Sequence, residues 1–122
     1  MQKNLLLIII TIVLTAGALF VLYYFNKPTI DTNAIILFYG EGCPHCKTVD
    51  DFINQNKIGD KVEFTRLEVW YNKNNQNILA EIAQKCGIKT NQVGVPFLWD
   101  GDKCYIGDED TINFFKQQAG IN

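Results

Sequence analysis

Between Leu5 and Phe25 the chain is apolar at 18 of 21 positions, broken only by Thr11, Thr15 and Gly17. As a helix this run is roughly 31 Å long, about the hydrocarbon thickness of a bilayer. A helix apolar on every side has to be enclosed by lipid or by protein. Of the 122 residues, 97 follow the run, from Asn26 to Asn122, too few to enclose it and also build a core of their own. Residues 5–25 are therefore read as a transmembrane anchor. A cleaved signal peptide is the alternative, because Ala16-Gly17-Ala18 offers a small-x-small cleavage pattern. The anchor is favoured because the apolar run continues past that site, and Tyr23-Tyr24 stands where an interfacial aromatic belt would lie.

The α-amino group and Lys3 precede the span, while Lys27 and Asp31 follow it and largely cancel. The positive-inside tendency then puts residues 1–4 in the cytoplasm and the rest of the chain on the extracytoplasmic side, periplasmic or extracellular, where disulfides persist. Residues 26–33, which include Pro28, read as a tether, and residues 34–122 as one small domain. Setting aside Lys3, Lys27 and Asp31, eleven basic and thirteen acidic residues become nine and twelve. So mildly acidic a surface argues against a nucleic-acid partner.

Within the domain, Ala34 to Tyr39 is continuously apolar and ends at Gly40, the pattern of a strand buried on both faces. From Cys43, apolar Cys46, Val49, Phe52 and Ile53 fall at helical spacing to about Asn56. Val62 to Val69 reads as a second strand. Asn74 to Cys86 gathers Ile78, Leu79, Ile82, Ala83 and Cys86 on one helical face and stops at Gly87. Pro96 to Trp99 and Lys103 to Ile106 flank Asp100-Gly101-Asp102 as a hairpin. A last helix opens on Asp108-Glu109-Asp110, acidic residues suited to its positive end, and buries Ile112, Phe115 and Ala119. The order βαβαββα predicts an α/β domain with a four-stranded mixed sheet flanked by helices on both faces.

Cys43-Pro44-His45-Cys46 stands between the first strand and the first helix of this domain. At that spacing the first sulfur points from the helix start into solvent and the second lies one turn further in, within bonding reach. Unpaired N–H groups and the positive end of the dipole favour a thiolate at Cys43. His45, the only histidine, adds a donor or a positive charge, and Pro44 enters the helix without losing a hydrogen bond. The expected chemistry is attack by Cys43 to form a mixed disulfide, then resolution by Cys46.

Strand, Gly40-Glu41-Gly42-Cys43-Pro44-His45-Cys46, helix, and some fifty residues later Gly94-Val95-Pro96 opening a strand: this arrangement resembles the thioredoxin superfamily over essentially all of residues 34–122. In that family the proline matching Pro96 is cis and faces the active-site sulfurs, so the resemblance implies that Val95 and Pro96 shape the substrate groove. Pro44-His45 is similar to the dipeptide of DsbA-type periplasmic oxidants, whereas thioredoxin reductants carry Gly-Pro. The inserted helical domain of DsbA is missing. Size and the Ile106-to-Asp110 segment are closer to glutaredoxins. Asp108 replaces a glycine there, and Gly40 stands where many glutaredoxins have a lysine for the glutathione carboxylate. The acidity of Asp108 to Asp110 would also repel that anionic tripeptide.

The resemblance implies a membrane-anchored thiol-disulfide oxidoreductase acting on cysteine-containing proteins as an oxidant, with no cofactor beyond the Cys43–Cys46 disulfide. A DsbB-like or vitamin K epoxide reductase-like membrane protein would recharge it. The alternatives are a reductant or isomerase fed by a transmembrane electron carrier, or a non-catalytic binding or metal-carrying module of the same fold. A zinc site would need Cys86 and Cys104 to join the first pair, and their 18-residue separation does not supply a second close pair; no metal site is assigned. Lys47 after Cys46 excludes c-type haem attachment. Cys86 is either a buried inert thiol or the partner of Cys104 in a structural disulfide. Trp70, Tyr71 and Trp99 read as packing or groove residues, and Asp50-Asp51 as a solvated helix face.

Overall fold

A computed structural model describes residues 1–25 and 30–121. The chain forms two compact units, Met1–Ile30 and Asp31–Asn122.

The first unit holds helix α1 (Gln2–Phe25), whose 24 residues bury none of their side chains. It is long and apolar enough to cross a membrane, and it starts three residues before the apolar run. Its two threonines cover their own polarity: Thr11 Oγ1 donates to the Ile8 carbonyl at 2.8 Å, and Thr15 Oγ1 to the Thr11 carbonyl at 3.0 Å. Local satisfaction of that kind lets hydroxyls sit in an apolar span.

The second unit runs β1 (Ile36–Tyr39), α2 (Pro44–Gln55), β2 (Thr65–Glu68), α3 (Lys73–Lys85), β3 (Phe97–Trp99), β4 (Cys104–Ile106) and α4 (Asp108–Ala119). Its sheet has the order β2-β1-β3-β4, with β1 and β2 parallel and the other two pairings antiparallel. The element order is the one that the apolar periodicity predicts. Two 3₁₀ turns, Ile58–Asp60 and Thr90–Gln92, are additional. The first of them shortens the expected second strand: Val62 N–H donates back to the Ile58 carbonyl at 2.9 Å, so Val62 is buried by packing and not by pairing.

Alternation along the strands splits the apolar residues between two faces. Leu37 and Leu98 join Val49 and Ile53 of α2, Phe114 and Phe115 of α4, and Ile58 and Val62 in one core. Ile36, Phe38, Phe97 and Trp99, all buried, belong to the opposite face. The end of α3 reaches that face, with Lys85 Nζ 5.8 Å from the Trp99 ring centroid and Cys86 bonded to Cys104, the register partner of Trp99. Each large side chain so enclosed contributes about 2–3 kcal/mol by removal from water.

Trp99 is 5% exposed, and its indole N–H donates to the Thr32 carbonyl at 2.6 Å. It is therefore a packing residue that fastens the start of the unit. Asp31 to Ala34 close a turn, with Ala34 N–H donating to the Asp31 carbonyl at 3.3 Å. Asp31, Thr32 and Asn33, at the end of the expected tether, are thus part of the compact unit. Residues 26–29 of that tether lie outside the described residues.

Candidate active site

The register sets the location of the site. Phe38 pairs with Phe97 and Ile36 with Trp99, so the end of β1 and the start of β3 share one end of the sheet. The chain leaves β1 through Gly40-Glu41-Gly42, with Gly42 at φ +83°, a turn that favours glycine. Cys43 N–H donates to the Gly40 carbonyl at 3.2 Å, and Cys43 then caps α2, with Pro44 in the first turn. Proline fits there because that N–H has no helical partner in any case.

The two sulfurs are unbonded and 2.6 Å apart, with the Cys46 thiol donating to Cys43 Sγ. That is roughly half an ångström longer than a disulfide bond. Cys46 N–H also donates to Cys43 Sγ, at 3.2 Å. Cys43 Sγ is thus the acceptor of the pair, placed at the positive end of α2. Burial pushes the Cys46 thiol up to about 12, and the hydrogen bond to Cys43 adds to the rise. The expectation that Cys43 points into solvent is corrected: the residue is 6% exposed, and Cys46 8%.

The Val95–Pro96 peptide is cis, and the Val95 carbonyl oxygen lies 3.7 Å from Cys43 Sγ. The Val95 carbonyl therefore stands against the first sulfur, although 52 residues away in sequence, and Pro96 follows it directly through the cis bond. Gly107 N–H donates to the Pro96 carbonyl at 2.9 Å, tying the start of α4 to the same place.

His45 is also brought here, but to a partner the sequence does not name. Its Nδ1 lies 3.0 Å from Asp108 Oδ2. The His45 hydrogen bond holds the Asp108 carboxyl below the usual carboxylate range.

Two depressions lie in this region, the first walled by both cysteines and the second reaching them only through Val95. One, of about 540 Å³, includes Tyr39, Cys43, Cys46, Asp50 and Arg66 in its walls. Asp50 is half-buried and its Oδ1 is 2.7 Å from an Arg66 guanidinium nitrogen, so it is a wall of this cleft and not simply a solvated helix face. Arg66 also lies over the Tyr39 ring, 5.1 Å from its centroid. Asp51 does face water, paired with Lys47 at 2.7 Å. The other depression, about 240 Å³, has Val69, Trp70, Leu79, Val93, Gly94 and Val95 in its walls.

Trp70 is 48% exposed, and its indole covers Gly40 so closely that a Cβ there would overlap the ring. Gly40 is thus fixed by this approach, and no lysine could stand in its place. Glu68 holds the neighbouring loop. Its two carboxylate oxygens accept from the N–H groups of Trp70 at 2.7 Å, Tyr71 at 3.0 Å, Asn72 at 3.2 Å and Glu41 at 3.4 Å. Burial acts to raise its pKa, but these four donors outweigh it and hold the carboxyl below the usual range.

Cys86 and Cys104 are bonded to each other, with Cα atoms 6.2 Å apart, within the ordinary span of a disulfide. They lie at the far end of β3 from Pro96, and so do not gather with Cys43 and Cys46 as four ligands. Among the described residues no three His, Cys, Asp or Glu side chains converge. No family model matches the chain, and no curated protein matches it.

Proposed function

We propose that the chain is a membrane-anchored thiol-disulfide oxidoreductase of thioredoxin-like fold, in which Cys43 exchanges with cysteine-containing proteins and Cys46 resolves. The observation that carries this reading is the asymmetry of the two adjacent sulfurs. Cys43 Sγ accepts two hydrogen bonds at the start of α2, while Cys46 is a thiol pushed up to about 12. The mixed sheet, the Cys43-to-Cys46 turn at the start of α2 and the cis Val95–Pro96 bond against it support the family reading.

In the oxidising direction a substrate thiolate attacks Cys43 Sγ of the closed pair. The Cys43–Cys46 bond breaks, and Cys46 leaves with its electron pair and takes up a proton, which its raised pKa retains. A second substrate thiolate then attacks the mixed disulfide, forming the substrate disulfide and releasing Cys43 as a thiolate. Two electrons pass from substrate to the pair. A membrane redox partner of the DsbB-like or vitamin K epoxide reductase-like kind would remove them.

The domain is proposed to lie on the extracytoplasmic side, where the Cys86–Cys104 disulfide persists. A second reading, reductant or isomerase, is favoured by one contact: His45 is engaged by Asp108, so the sulfur lacks the imidazole that a strong oxidant would use.

Equilibration of the pair against glutathione separates them. A potential near roughly -120 mV supports the oxidant, and one near roughly -270 mV the reductant. Exchange that survives Cys43→Ser would overturn both readings, since each makes Cys43 the attacking sulfur.

A further inference from the structure

Spacing alone aims His45 at Cys43; the folded chain gives it to α4. Asp108 Oδ2 reaches His45 Nδ1 at 3.0 Å across 63 positions of sequence. The carboxylate is held from two sides. Glu109 N–H donates to Asp108 Oδ1 at 3.2 Å, and Gly107, the preceding residue, is tied to the Pro96 carbonyl at 2.9 Å. Other charges close by do not compete for the ring: Lys47 is paired with Asp51, and Glu109 and Asp110 are exposed acids on the same turn. Among the described residues, Cys43 Sγ has the Cys46 N–H, the Cys46 thiol and the Val95 carbonyl as partners, and not His45.

An imidazolium facing a thiolate stabilises the reduced pair and makes the disulfide the stronger oxidant. An imidazole bound to a carboxylate offers that sulfur a compensated charge instead. We propose that Asp108 is a positioning residue that withholds His45 from Cys43 and so makes the Cys43–Cys46 pair less oxidising than its Cys-Pro-His-Cys sequence implies. The inference rests on the oxidoreductase reading above and assigns the redox poise to a contact between the starts of α2 and α4. An exposed ion pair contributes little to stability, so the effect belongs in the redox equilibrium and not in the melting temperature.

The test is a double-mutant cycle on the full chain in detergent micelles, equilibrated with reduced and oxidised glutathione: wild type, Asp108→Ala, His45→Ala and the double variant. Asp108→Ala is expected to shift the equilibrium toward the dithiol by about three- to tenfold, tenfold being about 30 mV for this two-electron couple. In the His45→Ala background the same change is expected to have no effect beyond about twofold. Asp108→Glu should restore the wild-type value. Asp108→Asn, which keeps an acceptor at the helix start, should shift in the same direction by less and serves if the alanine variant does not fold. An equal shift in both backgrounds would mean that Asp108 acts on the sulfur directly, and that result, or no shift at all, overturns the proposal. A wild type that never exchanges with glutathione sinks the oxidoreductase reading; one that exchanges while the cycle is additive sinks only this inference.

Discussion

The domain carries one cysteine pair at each end of β3, and the two pairs meet opposite ends of a helix. Cys43 caps the start of α2, where its sulfur accepts from the Cys46 N–H at the positive end of the helix. Cys86 caps the end of α3, where its own N–H is spent on the Ile82 and Ala83 carbonyls and the dipole is negative. Sulfur accepts hydrogen bonds at the first place and is bonded to a second sulfur at the other. The sequence separations add to the contrast. Cys43 and Cys46 are held together by one turn of helix whether bonded or not, whereas the Cys86–Cys104 bond closes an 18-residue loop and constrains the unfolded chain. On the proposed reading, the same chemical group serves exchange at one end of a strand and bracing at the other.

Substitution of each pair is the largest way to break that contrast. Cys43→Ser should lower the rate of disulfide exchange with a fluorescent peptide substrate by at least about a thousandfold, as removal of a nucleophile does. The Cys86→Ser, Cys104→Ser double variant should keep that rate within about twofold in the same assay. Its cost appears in stability instead: a loss of about 3 kcal/mol, read as a melting temperature lower by more than about 10 °C. Equal losses of activity from both changes would erase the distinction.

Gly40→Ala sharpens the comparison at the exchange end. The new methyl would overlap the Trp70 indole, so the ring must move, at about 1–3 kcal/mol. Exchange should slow as well, because Trp70 and Cys43 both contact the turn at Gly40, while the Cys86–Cys104 bond stays intact by mass mapping.

The smallest effect concerns acid. Glu68 has its pKa lowered from the usual 4.5 in the folded chain, so its contribution to stability is present above that value and is lost as the pH falls through the lower, folded one. The wild-type advantage in melting temperature over Glu68→Gln should be constant from about pH 5 to 8 and shrink below about pH 4.5. An advantage that grows on acidification would contradict the four-donor arrangement.

Much of this was legible in the chain because it is local. The apolar run from Leu5 marks α1, and the period changes from strand to helix place β1, α2 and α3 to within a few residues. Cysteine spacing next to a helix start foretells that the Cys43 and Cys46 sulfurs lie side by side. What escaped is what only closure of the sheet creates. His45 meets Asp108 across 63 positions, and Arg66 of β2 meets Asp50 of α2. Glu68 looks like an ordinary strand residue until its oxygens meet four N–H groups of two loops. Gly40 was the one available signal for Trp70, since a glycine at a strand end often marks a close approach, but nothing in the pattern says by which side chain. The buried setting of Cys43 escaped for the same reason: one of its neighbours, the Val95 carbonyl, comes from a distant segment.

The central claim is that the two adjacent sulfurs have different tasks, and site-resolved alkylation of the fully reduced protein at neutral pH tests it most directly. With iodoacetamide and mass mapping at short times, Cys43 should carry the label while Cys46, a thiol pushed up to about 12, stays unmodified. Equal labelling of the two, or Cys46 first, would contradict the account.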